Sequence, residues 1–158
     1  MTAQETIWDE RSALERLVHL LPGFRGYHVA ENRREADALL RRFGRARLDR
    51  VRAELDAIAR GKTGKARTPY RGLIRRLSKL CQALDRESHP GLLEPVVSTP
   101  SATLDPLYAQ DEEIVRSVVA LSVAIHERST QPLDLTRELD RIERALAERR
   151  RLIDDLLH

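Results

Sequence analysis

The sequence predicts an all-α fold: a helical bundle of about five helices, with one long helix and a coiled-coil-like C-terminal helix. Three observations carry this. Apolar residues recur at three- and four-residue steps in successive stretches. Leu, Ala, Arg and Glu are abundant while aromatic residues make up only 4%, a composition that favours helix over strand. Proline and glycine cluster between the periodic stretches rather than within them. At 158 residues, with 41% hydrophobic and 34% charged content, the chain suits a single helical domain spanning residues 1–158, with a Pro-rich internal linker at 88–106.

The first helix is expected from about Thr6 to Leu21, with Trp8, Leu14, Leu17, Val18 and Leu21 at helical spacing. Pro22-Gly23 ends it, since proline cannot continue a helix and glycine accepts the positive φ of a C-terminal turn. Phe24 and Tyr27 then form an aromatic turn that plugs the end of the core. The second helix is expected over about 29–60, on the order of 48 Å at ~1.5 Å per residue. Ala36, Leu40, Phe43, Leu48, Val51, Leu55 and Ile58 mark its apolar side. Gly44, inside it, points to a close helix crossing or a bend.

Gly61 to Thr68 (GKTGKART) is the clearest break, a basic loop without an apolar anchor. Thr68-Pro69 reads as N-cap and first residue of a third helix running to about Arg86. Its apolar face is Leu73, Ile74, Leu77, Leu80, Cys81 and Leu84; Arg71, Arg75, Arg76 and Lys79 occupy the rest. Pro90, Pro95, Pro100 and Pro106 exclude regular helix from the linker. A fourth helix is expected from about Asp105 to Arg128. Its run Val118–Ile125 is apolar nearly all round, which predicts the central helix. After the turn Thr130-Gln131-Pro132, a fifth helix starts near Asp134. Leu135, Leu139, Ile142, Leu146, Arg149, Ile153 and Leu156 form a heptad seam containing one arginine. Packing inside a bundle and pairing with a second chain both account for that seam.

The net charge of +3 hides an asymmetry. Residues 41–79 hold 14 basic and 3 acidic residues, a local +11; residues 1–40 carry −2 and residues 80–158 carry −6. Such a basic centre points to an anionic partner, or to pairing within or between chains. The candidate partner-binding residues are Arg45, Arg52, Lys62, Lys65, Arg67, Arg71 and Arg75.

Other chemistries find little support. Gly61-Lys62-Thr63 resembles the end of a phosphate-binding loop, but that pattern needs glycine at position 56, which is Asp56, and a preceding strand. His19, His28, His89, His126 and His158 do not pair at metal-ligand spacing, and the chain has no Glu-x-x-His. Cys81, the only cysteine, excludes an intrachain disulfide and reads as a buried thiol. The acidic trio Asp111-Glu112-Glu113 is accounted for by the helix dipole. No nucleophile–base pair stands out, so no catalytic residue, cofactor or metal site is assigned. The opening MTAQETIWDERSALE lacks a basic region followed by an apolar core, so a secretory leader is not expected, and a cytoplasmic location is.

The segment Leu21-Pro22-Gly23-Phe24-x-Gly26-Tyr27, followed by Arg33-Arg34-Glu35-Ala36-Asp37-x-Leu39-Leu40-Arg41, resembles an uncharacterised bacterial helical family. Its members carry a proline-glycine-aromatic turn before a long charged helix. The resemblance covers about residues 14–60 and implies no activity. Some relatives are associated with membrane-scaffolding proteins of the stomatin type, which implies a scaffold or adaptor role. The expectation is therefore a non-enzymatic, self-associating interaction or scaffold protein, with a homo-oligomer or another protein as partner and no small-molecule substrate. The alternative is a sequence-independent binder of nucleic acid or an anionic membrane surface through residues 41–79.

Overall fold

A serine opens the first described helix. The Ser12 side chain accepts the Glu15 N–H at 3.3 Å, supplying one of the bonds that a helix start lacks, and α1 spans Ala13–Leu20. The structure, a computed structural model, describes residues 12–27, 29, 32–86, 104–127 and 131–157. The expected first turns of α1, with Trp8, and most of the linker fall outside these residues.

The turn after α1 forms as its residues require. Gly23 and Gly26 adopt φ of 86° and 78°, a region that costs other residues a Cβ clash. At Gly26 a Cβ would lie 2.8 Å from the Tyr108 hydroxyl, so this position is closed to a side chain on both counts. Phe24 and Tyr27 are buried. Tyr27 stacks on Tyr108 with ring centroids 5.2 Å apart, and Phe24 meets both rings edge-on. The aromatic turn does plug one end of the core.

The long helix α2 spans Arg33–Arg60, starting later than the expected residue 29. The Tyr27 N–H donates to the Tyr108 hydroxyl at 2.7 Å, and Arg33 Nε donates to the Tyr27 carbonyl. The first turn of α2 is thus tied to the aromatic turn. A 3₁₀ turn at Gly64–Ala66 leads into α3, Thr68–Arg86. Leu73, Leu77, Leu80, Cys81 and Leu84 of α3 pack against Leu48, Val51 and Leu55 of α2. Gly44 lies where the two helices approach closely, since a Cβ there would stand 3.3 Å from Leu84.

α4 spans Asp105–Glu127. The expected linker reached Pro106, but Pro106 lies in the first turn of α4, where its missing N–H has no intrahelical acceptor to lose. α4 is central: it packs against α1, α2 and α5. Its apolar run is not wholly enclosed, because Val123 is exposed. α5 spans Pro132–Leu157, two residues earlier than expected at its start, because Pro132 begins the helix rather than ending the turn. The Gln131 carbonyl accepts the N–H groups of Asp134 and Leu135, and the Thr136 hydroxyl donates to the Pro132 carbonyl at 2.8 Å.

The interior has two apolar clusters. One joins the second half of α2, α3, the second half of α4 and the first half of α5. The other joins α1, the aromatic turn, the start of α2, the first half of α4 and the end of α5. Leu135, Leu139, Ile142, Leu146 and Ile153 are all buried, so the heptad seam of α5 is covered along these positions by its own chain; the side chain of Leu156 is not among those described.

Candidate functional site

Two places concentrate polar chemistry: the edge made by α3 with the α2–α3 loop, and a buried cluster around Arg149.

The buried cluster draws on four elements. Arg149 stands in the seam of α5, 2% exposed. Its Nε donates to Asp111 Oδ1 of α4 at 2.6 Å. Its Nη2 donates to Asp37 Oδ1 of α2 at 2.7 Å and to the Tyr27 hydroxyl at 3.2 Å. That hydroxyl in turn donates to Asp111 Oδ2, and Arg41 donates to Asp37 Oδ2 at 2.9 Å. Burial opposes the charge of Arg149, but Asp111, Tyr27 and Asp37 outweigh it and hold the guanidinium well above its ordinary value. Burial, then the charge of Asp111, pushes the Tyr27 phenol well above its own, so it remains a donor. Burial also raises Asp111, against the opposing pull of Arg149 and Tyr27.

Tyrosine, carboxylate and arginine in contact are residue types that acid–base sites use. Here Tyr27 and Asp111 are fully buried, and the Tyr27 hydroxyl and all four carboxylate oxygens of Asp37 and Asp111 have partners within the set. The cluster lies inside the bundle. What it does is structural: it ties α2, α4, α5 and the aromatic turn at one point, in a low-dielectric setting where an unpaired member is costly.

Sequence reasoning missed this set, although signals were present. Arg149 interrupts the seam, and a buried cation needs counter-charges. Asp37 follows Ala36 and stands three residues before Leu40; Asp111 lies between Leu107, Tyr108, Ile114 and Val115. Both sit on apolar faces at helical spacing. The dipole reading of Asp111-Glu112-Glu113 is corrected accordingly. Asp111 is a core counter-ion, Glu112 accepts from Arg16 at 2.7 Å and from Arg116 at 2.8 Å, and only Glu113 is exposed.

The seven basic candidates divide into two groups. Arg45 bonds Asp49 at 2.8 Å, the Cys81 carbonyl at 3.1 Å, and Asp85. Arg52 bonds Asp49 at 3.0 Å. Partial burial works against ionisation of Asp49, but Arg45 holds its carboxyl below the usual range. Arg67 Nε donates to the Ala59 and Lys62 carbonyls, both at 2.9 Å, and so caps the C-terminus of α2. These three serve the fold. Lys62, Lys65, Arg71 and Arg75 are exposed and form no ion pair among the described residues. Lys79, on the same helix, is also exposed and unpaired among them. Arg76, beside them, forks onto Glu143 of α5 at 3.0 and 2.8 Å and reaches Asp140. Arg76 thus joins α3 to two acidic side chains of α5 within the chain. A surface groove of about 460 Å³ runs along this edge, lined by Pro69, Arg75, Arg76, Lys79, Pro132 and Thr136 among others.

Among the described residues no three His, Cys, Asp or Glu side chains are grouped to hold a metal ion, and no helix is long and apolar enough to cross a membrane. No protein-family model, curated protein or solved structure matches this chain.

Proposed function

We propose that this chain is a non-enzymatic helical interaction protein that docks an acidic partner on the edge formed by α3 and the α2–α3 loop. The observation that carries this is the charge left after internal pairing. Residues 57–84 contain eight Lys and Arg and no Asp or Glu. Arg67 and Arg76 are engaged within the fold, and Arg60 pairs with Asp56 at 2.7 Å. Lys62, Lys65, Arg71, Arg75 and Lys79 remain, exposed and unpaired among the described residues. Holding like charges together costs self-repulsion that a partner of opposite charge relieves.

The surface offers charge rather than an apolar stripe. The large exposed hydrophobics among the described residues are Val18, Val29, Val123 and Leu133, on four different segments. Self-association therefore falls under this reading only through the basic edge meeting an acidic surface of another copy, because the α5 seam is already covered. Retention on a sulfated polyanion column at low salt tests the reading. Wild type is expected to bind and to elute with salt, and Lys62→Glu/Lys65→Glu to elute earlier with an unchanged circular dichroism spectrum. Passage of wild type straight through the column would overturn it. Light scattering over a range of concentrations reports whether a second copy is the partner.

A further inference from the structure

We infer that the acidic partner is a duplex nucleic acid, held by its phosphates without sequence preference; this rests on the docking edge proposed above. Arg71, Arg75 and Lys79 are four residues apart on α3, which places each about 6 Å further along the helix and winds only slowly around it. The result is a line of three cations about 12 Å long. Along one duplex strand a phosphate recurs about every 3.4 Å of axis, so this line follows a few consecutive phosphates, with Lys62 and Lys65 extending the contact from the loop. The groove beside Arg75, Arg76 and Lys79 gives the sugar–phosphate ridge a place to lie. Arg76, tied to Glu143, forms part of its wall.

The other anionic partners fit less well. A protein interface needs an apolar or aromatic centre, but the groove is lined by Pro69, Gly72, Pro132, Thr136 and the cations, with Leu73 at its floor almost wholly buried in the core, and Leu133 stands exposed beside Pro132. A membrane surface takes an amphipathic helix by its apolar face, but Leu73, Leu77, Leu80 and Leu84 of α3 are core. A single strand is gripped by stacking bases on aromatic rings. Phe24, Tyr27 and Tyr108 are buried, while Phe43 and Tyr70 are partly buried against the core.

Fluorescence anisotropy with a labelled random-sequence duplex DNA over a salt series tests this, with polyglutamate and phosphatidylglycerol vesicles as parallel probes. Five phosphate contacts predict a log–log salt slope of about −4.5, or about a 500-fold loss of affinity between about 50 and 200 mM salt. Arg71→Gln/Arg75→Gln/Lys79→Gln keeps two contacts, so its slope falls to about −1.8 and its loss to about 12-fold. Arg71→Lys/Arg75→Lys keeps the slope of wild type. All three changed side chains are exposed, so melting temperatures are expected to stay unchanged. Tighter binding of polyglutamate or vesicles than of duplex overturns the nucleic-acid assignment and leaves the docking edge standing. A wild-type slope in the glutamine variant also overturns it. No binding to any probe at about 50 mM salt removes both.

Discussion

Replacing Arg149 with methionine takes away the cation that four elements share. Asp37 keeps Arg41 as a partner, so the loss falls chiefly on Asp111, which has no exposure to water and keeps only the Tyr27 hydroxyl. Breaking a buried ion pair from one side costs about 3–5 kcal/mol, against a total stability of about 5–15 kcal/mol for a domain. At about 2–4 °C per kcal/mol for a chain of this size, the melting temperature should fall by roughly 6–20 °C. Urea unfolding followed by far-ultraviolet circular dichroism measures the difference. Arg149→Met/Asp111→Leu should be more stable than Arg149→Met alone, because the second change removes the stranded charge. The pH dependence has a defined sign. Burial already raises Asp111, and without Arg149 its folded value rises further above the unfolded one. The folded state of the single variant then binds more protons than the unfolded, so it regains stability as pH falls from about 7 toward 5. Should Arg149→Met match wild type within about 0.5 kcal/mol, or the double variant be weaker than the single, the account of the cluster as a coupled charge set is wrong.

Three further outcomes follow from the packing. Gly26→Ala forces a positive φ on alanine and sets a Cβ 2.8 Å from the Tyr108 hydroxyl and 2.9 Å from Leu14 Cδ1; about 2–4 kcal/mol of destabilisation is expected by urea unfolding, and a neutral result would mean the aromatic turn is not tightly fixed. Leu121→Ala, at a fully buried position of central α4, should cost about 2–5 kcal/mol, whereas Val123→Ala on the exposed side should stay within about 0.5 kcal/mol; equal losses would contradict the orientation of α4. Burial, then Asp49, pushes the Cys81 thiol up to about 11, so at about pH 8 its thiolate fraction is roughly a hundredfold below that of an ordinary thiol. Native protein should resist alkylation until denaturant is added, and rapid native labelling would contradict that placement.

Much of the helical architecture is legible in the residues because it rests on local rules. Pro22-Gly23 stops one helix, Gly61 marks the end of another, and the 3.6-residue recurrence of Leu and Val marks each buried face. The start of α4 near Asp105 is legible, although Pro106, counted with the linker, stands in its first turn, and Pro132 reads as ending a turn although it opens α5. The bond from the Tyr27 N–H to the Tyr108 hydroxyl joins residues 81 apart in the chain, and no local rule announces it. Of the basic candidates, Arg45 and Arg52 stand four and three residues from Asp49, a pairing that helical spacing makes legible, and Arg71 and Arg75 have no acidic residue at such spacing. The bonds of Arg45 to the Cys81 carbonyl and of Arg67 to the Ala59 and Lys62 carbonyls came only with the fold.

The sequence by itself determined an all-helical chain, a basic centre between acidic flanks and a seam on the last helix, because periodicity and charge are properties of neighbours along the chain. Tertiary structure alone decided that the seam closes within the chain and that Arg149, the misfit in it, is held by Asp37, Asp111 and Tyr27. It also decided which cations remain outside. The physical reason is the same for each: a buried charge is tolerated only where opposite charges and hydrogen bonds converge on it, and convergence from four elements is set by how helices pack, not by the order in which they are written.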